Sequence, residues 1–208
     1  MTPVHHPTDE TLLGFATGGL DEAYRVVVAT HLGHCPSCRA AVLAAERVGG
    51  LVLEGLDAAP LADGALERTL ARLGDAGPPP PPPPPPGMPA SLAGYRLGRW
   101  RSIAPGLAIS TILPPRSGRA ALHALRVVPG MRLANHGHVG LELTTVLQGA
   151  FADSGERYAA GDVAEHDEAD DHAPVALPGE TCVCLIAFSG KLRFRHWLPR
   201  LVQPFFGV

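Results

Sequence analysis

The chain has 208 residues, room for two small folded units, with 46% apolar residues and a formal net charge of −3. That slight acidity gives no bulk electrostatic case for binding nucleic acid, and no stretch of about 18 uncharged apolar residues offers a membrane span. Residues 1–6 lack the basic and apolar regions of a secretory signal, so a cytoplasmic setting is expected, in which four cysteines point to metal or redox use rather than a disulfide framework.

The first third reads as four helices. Thr8-Asp9-Glu10 begins the first, with Leu12, Leu13 and Ala16 apolar, and Gly18-Gly19 stops it. Asp21 caps a second that runs toward His34. Pro36 suits the first turn of a third, where its missing N–H costs nothing, and this helix reaches about Leu53. A fourth covers 61–73, with Leu66, Leu70 and Leu73 on one stripe between glycine-bearing flanks. A short amphipathic helix on such tethers either packs as a satellite of the core or docks on a partner.

Between the second and third helices lies the run His31-Leu32-Gly33-His34-Cys35-Pro36-Ser37-Cys38. His31 and Cys35 stand at i and i+4 and share a helix face, and Cys38 follows one turn on. This is the local spacing of a structural zinc site, which takes about four Cys and His ligands in a closed tetrahedron. His5 or His6 would complete it. A Cys-Pro-Ser-Cys redox dithiol is the rival reading, but such dithiols follow a strand in a βαβ pattern and the upstream sequence is helical. Unengaged cysteines at a helix end are the blandest reading.

Nine consecutive prolines occupy 78–86, flanked by Gly77 and Gly87. Proline has no N–H to donate, so the run is neither helix nor paired strand. A polyproline II spacer of about 28 Å is expected, at about 3.1 Å per residue. The composition changes across it. Predicted strands follow at 97–103, 108–113, 120–128, 141–147, 150–153, 162–165, 173–177 and 181–188, separated by Pro-Gly and Ser-Gly turns. Many short strands at this spacing predict a closed barrel or jelly roll.

A second constellation lies within these strands. His136, His138 and Glu142 have one parity and would face one side of extended chain, and His172 opens a later strand. Charged and imidazole groups have no reason to line an apolar interior unless something binds them. Three histidines and a carboxylate suit Zn, Fe, Mn, Ni or Cu. His166 competes with His172, but it sits in the acidic run 165–171, which reads as a solvated loop. Cys182 and Cys184 share a strand face and read as small buried hydrophobes, with a redox or metal-adjacent role if that face is interior. Arg193, Phe194, Arg195, His196 and Trp197 read as closing the barrel.

The run Gly130-x5-His136-x-His138-x3-Glu142-x6-Gly149 resembles the first cupin motif, and residues 161–172 resemble a degenerate second one that lacks the usual Pro-x-Gly before its histidine. Through His6, His31, Cys35 and Cys38 the N-terminal part resembles a zinc-binding anti-sigma domain. In this order the two resemble the ChrR-type anti-sigma factors over essentially the whole chain. The resemblance implies an α+β protein of two domains, a small zinc-stapled helical domain at 1–77 and an all-β cupin (jelly-roll) barrel at 91–208, joined by a proline-rich linker at 78–90. It implies one zinc on His6, His31, Cys35 and Cys38, and a second zinc or other divalent metal on His136, His138, Glu142 and His172. The implied partner is a group IV (extracytoplasmic-function type) sigma factor in a 1:1 complex, with no direct nucleic acid binding and no membrane contact. The implied role is not enzymatic: the sigma factor is kept from RNA polymerase and released on an oxidative signal, singlet oxygen or organic hydroperoxide. A metal-dependent cupin dioxygenase is the rival from another class, since the same ligands can leave a coordination position open. A helical zinc domain argues against it, because such enzymes do not need one.

Overall fold

The computed structural model describes residues 2–75, 77, 79–113, 118–190 and 193–194. Helices α1 (Asp9–Ala16), α2 (Glu22–Leu32) and α3 (Pro36–Glu54) form where the apolar spacing and caps predict them. The Thr8 hydroxyl accepts the Thr11 N–H at 3.2 Å, capping α1, and Pro36 occupies the first turn of α3. Asp21 stands at the N-cap of α2, but its carboxylate accepts the backbone N–H groups of Arg119 and Ala120 instead, at 2.7 and 3.1 Å. The fourth helix, α4 (Ala65–Ala71), continues as a 3-10 turn over Arg72–Gly74 and is shorter than the predicted 61–73. Gly64 holds a left-handed conformation, so the chain enters the helix only at Ala65.

The rest is antiparallel β: β1 (Arg96–Leu97), β2 (Arg101–Ala104), β3 (Leu107–Leu113), β4 (Ala121–Val127), β5 (His136–Gly137), β6 (Glu142–Gln148), β7 (Ala150–Asp153), β8 (Glu156–Ala159), β9 (Val163–His166), β10 (Asp171–His172), β11 (Val175–Ala176), β12 (Cys182–Phe188) and β13 (Arg193–Phe194). One sheet runs β1-β3-β4-β12-β6-β9, with β2 also on β3; two smaller sheets run β10-β5-β13 and β11-β7-β8. Among the described residues the ladders do not close into a single barrel. The architecture is a jelly roll of facing sheets rather than the closed barrel that is its alternative. Arg193 and Phe194 add an edge strand beside His136, while Arg195, His196 and Trp197 lie outside the described residues.

The large sheet is buried on both faces. On one face Val146, Cys182 and Cys184 pack with Phe151 and Ala176 of the small sheet. On the other, Leu122, Leu143, Leu185 and Ala187 share a core with Val26, Val27 and Val28 of α2. A fully buried valine contributes about 1.5–3 kcal/mol, so this helix is held mainly by the sheet it covers. Polar contacts frame the contact: the Tyr24 hydroxyl donates to the Leu141 carbonyl at 2.7 Å, and the Tyr95 hydroxyl donates to Glu22 at 2.5 Å. The proline run is also tied in, because the Gly94 N–H donates to the Pro82 carbonyl at 2.8 Å. None of the helices among the described residues is long and apolar enough to cross a membrane.

Candidate metal centres

The first cluster forms where α2 meets α3. His31 ends α2, Cys35 caps α3, Cys38 lies in its first turn, and the chain before α1 brings in His6. The His6 Nδ1 is 3.4 Å from both sulfurs, and the His31 Nε2 is 3.3 Å from the Cys38 Sγ. Four ligands placed tetrahedrally at Zn–N and Zn–S bond lengths lie about 3.3–3.8 Å apart, so the donors stand at the separations a zinc ion needs. His5, the other candidate, is turned away: its ring lies tilted against Tyr158 and its Nε2 is 3.1 Å from the Arg157 carbonyl.

Protonation supports the fit. The Nδ1 of His31 donates to the Gly161 carbonyl at 2.7 Å, so its proton is committed and the Nε2 lone pair is free. Burial pushes the Cys38 thiol up to about 11, and the neighbouring Cys35 adds to this. Burial also acts upward on Cys35, but hydrogen bonds from Ser37 and Cys38 outweigh it and leave that thiol below its ordinary value. Only one thiolate is comfortable in the bare pair. A divalent cation removes the conflict by favouring both.

The second cluster joins His136 of β5, His138 beyond it, Glu142 at the start of β6 and His172 of β10, with one donor atom of each within 4.8 Å of the others. All four residues are buried. The Nε2 atoms of His138 and His172 are 2.8 Å apart, and the Nδ1 of His138 is 3.0 Å from a Glu142 oxygen. That last pair lacks hydrogen-bond geometry, and both atoms are buried with no hydrogen-bond partner among the described residues. Buried polar atoms that converge without bonding one another are what a cation satisfies. Burial, with neighbouring histidines, lowers His136 to about 4 and His138 to about 3, so both imidazoles are neutral and ready to ligate. Burial raises Glu142 to about 7, the mark of a carboxylate short of positive charge.

Behind these ligands stands a layer the sequence reading missed. Asp153, at the end of β7, accepts the Nδ1 proton of His172 at 2.5 Å and lies 3.1 Å from the Nε2 of His166. Burial alone would raise Asp153, but the imidazole of His166 beside it and the hydrogen bond from His172 hold it well below the usual carboxylate range. His136 likewise donates its Nδ1 proton to the Ala134 carbonyl at 2.8 Å. Each acceptor takes the Nδ1 proton and so fixes the tautomer in which Nε2 carries the lone pair a metal would use. His166 is therefore not in a solvated loop. It closes β9 opposite Glu142, buried, while Glu165 points the other way. A strand alternates its side chains, and the acidic run hid that alternation. The only advance sign of Asp153 was its place in a predicted strand just before a Ser-Gly turn. Cys182 and Cys184 do share a face, with sulfurs 3.6 Å apart among apolar side chains.

A family model described as the ChrR cupin-like domain matches residues 96–191. The anti-sigma-E factor ChrR of Cereibacter sphaeroides is 42% identical over 215 residues, covering 100% of both chains. A crystal structure of Rhodobacter sphaeroides SigE in complex with the anti-sigma ChrR superimposes with a TM-score of 0.80 at 39% identity, covering 90% of this chain and 100% of that one. With a relative this similar along its full length, and with two His clusters in the order the motifs require, the chain belongs to the ChrR family of anti-sigma factors.

Proposed function

We propose that the protein inhibits a group IV (extracytoplasmic-function type) sigma factor by binding it through residues 1–77, in a 1:1 complex, and releases it when singlet oxygen or an organic hydroperoxide acts on the cupin part, residues 91–208. Residues 78–90 join the two. The role is regulatory rather than enzymatic, and the setting is cytoplasmic. One zinc on His6, His31, Cys35 and Cys38 staples the helices. A second zinc or other divalent metal on His136, His138, Glu142 and His172 serves the sensing part.

The observation that carries a protein partner is the apolar surface left in solvent by the second half of α3 and by α4. Leu51, Val52, Leu66, Leu70 and Leu73 are all more than half exposed, Leu73 at 76%. Leu66, Leu70 and Leu73 recur at i, i+4 and i+7 and form one helix stripe. Surface of this kind marks an interaction site, and an amphipathic helix laid in a partner's groove is a recurring way to use it.

The test is capture of the cognate sigma factor by the purified full chain, with run-off transcription alongside. The doubly substituted Leu66→Asp/Leu70→Asp alters only exposed positions and should keep the fold. It is expected to weaken capture by an order of magnitude or more, because apolar anchors dominate such interfaces. Wild-type affinity in that variant would overturn this docking surface. The division of labour is tested in the full chain, where His138→Ala is expected to inhibit transcription without responding to oxidant, and a full response in that variant would overturn it.

A further inference from the structure

We infer that residues 161–166, the turn into β9 and the strand itself, serve both metal centres, so that zinc in the N-terminal centre is retained more firmly when the cupin centre is occupied. This rests on the reading that both clusters hold metal, and it adds a connection between them that neither ligand set contains.

One side of the segment builds the N-terminal centre. The Gly161 carbonyl holds the Nδ1 proton of His31, 2.7 Å away. The Asp162 carboxylate accepts the N–H groups of Val4 and His5 at 2.6 and 3.1 Å, and the Val163 N–H donates to the His5 carbonyl at 3.2 Å. These three bonds fix the backbone that delivers His6. Glu165 accepts the Thr8 N–H and hydroxyl, both at 2.9 Å, and the Thr11 hydroxyl at 2.7 Å, which seats the first turn of α1. The two imidazole ligands of the N-terminal centre are thus positioned by the cupin part, and only the two cysteines are positioned by the helices alone.

The opposite side of β9 braces the cupin centre. His166 pairs with Glu142 across the ladder and stands 3.1 Å from Asp153, which holds His172. One strand therefore has Glu165 against the helices and His166 against the cupin ligands. The approach at its start is close. Gly161 has φ +96, and a Cβ there would lie 3.1 Å from the Pro3 Cγ and 3.3 Å from the His34 Cβ. No side chain fits between the turn and the N-terminal centre without moving one of them. Shared positioning of this kind is thermodynamic coupling, and coupling is reciprocal.

The test uses the full chain loaded with cobalt(II) in place of zinc. A thiolate-to-cobalt charge-transfer band reports only the N-terminal centre, because the cupin ligands carry no sulfur. The loss of this band under excess chelator gives a release rate. Gly161→Ala, which displaces the carbonyl that holds His31, is expected to release cobalt roughly ten-fold faster, the lower end of what disturbing the hydrogen-bond partner of a metal-bound histidine costs. Glu165→Ala, which unseats the first turn of α1, should act in the same direction. Gly155→Ala, at φ +89 with nothing within 4 Å, bears the same backbone strain in open space and should match wild type. His138→Ala, which removes a cupin ligand, is expected to speed release roughly five-fold. His166→Gln, which leaves every ligand in place, should act in the same direction. Wild-type rates in both His138→Ala and His166→Gln would overturn the coupling. Wild-type rates in Glu165→Ala and any folded Gly161→Ala would overturn the shared positioning. A wild-type chain with no thiolate band, or with one cobalt in total, would instead overturn the two-metal reading beneath the inference.

Discussion

The two His clusters solve different problems with the same residue. The N-terminal cluster has two sulfurs and two imidazoles at tetrahedral separations, drawn from an extended entry segment and the meeting of two helices. Few large side chains bury α1 and α3 on their own account, so a metal there would supply structure. The cupin cluster has three imidazoles and a carboxylate, all but His138 on strands that are already packed, and sheet pairing holds those whether or not a metal is bound. A metal there adds less to folding and has more freedom to exchange, open a coordination position or respond. The same contrast separates the helices. α2 is buried nearly all round beneath the large sheet, whereas the end of α3 and all of α4 keep their apolar side chains exposed.

The sharpest way to break the comparison is Cys38→Ser. If the first cluster is structural, this variant should lose about one zinc per chain, lose helical signal and lose sigma capture together. Metal analysis, circular dichroism and pull-down read the three effects, and retention of full zinc and full capture would make the first cluster ornamental.

A milder change addresses the second cluster. Asp153→Asn keeps the shape beside His172 but weakens its hold on the Nδ1 proton. Cupin metal affinity should fall by roughly 10- to 100-fold, while the cobalt–thiolate band of the first cluster at saturating metal is unchanged. An unchanged cupin affinity, measured by competition with a chelator, would mean that His172 needs no such support.

The smallest effect concerns a histidine belonging to neither cluster. His123 on β4 is 3% exposed, stacks on Phe188, and has no partner for either ring nitrogen among the described residues. Burial, with Arg101 as a lesser cause, lowers it to about 4. The folded state thus binds fewer protons than the unfolded one between about pH 4 and 6.5. Its neutral form is fully accommodated above about 6.5, and stability is lost as pH falls from there toward 4. At pH 5.5, one unit into that window, the loss is on the order of 1 kcal/mol. His123→Leu should flatten this part of the stability–pH curve in denaturant titrations, and an unchanged slope would place the acid sensitivity elsewhere.

Much of this was written in the sequence. Thr8, Gly18-Gly19 and Pro36 mark real helix ends. His136, His138 and Glu142 do cluster, but not as one face of an extended chain, because a bend follows His138 and sets Glu142 on a strand of another sheet. The strands that escaped reading are two-residue pieces, β5, β10 and β13, or the polar β8, and none has enough alternation to register. The docking of helices on the sheet left a trace that the proline run obscured. β12 reads Cys-Val-Cys-Leu-Ile-Ala-Phe without a polar alternate, as a strand covered on both faces should. α2 carries Val26-Val27-Val28, too apolar for a helix with a free side. Which residues of β9 meet which cluster depends on the strand's register against β6, and a solvated loop and a two-faced strand look alike in a short acidic run.

The central claim is that the first cluster holds the sigma factor and the second makes the hold conditional. The most direct measurement is dissociation of a preformed complex with the cognate sigma factor on adding an organic hydroperoxide, followed for wild type and His138→Ala with metal content assayed in parallel. The account predicts that the wild-type complex dissociates, and that His138→Ala, short of its cupin metal, still captures sigma factor but stays bound after challenge. Dissociation of both complexes at the same rate, or failure of the metal-depleted variant to capture sigma factor at all, would contradict it.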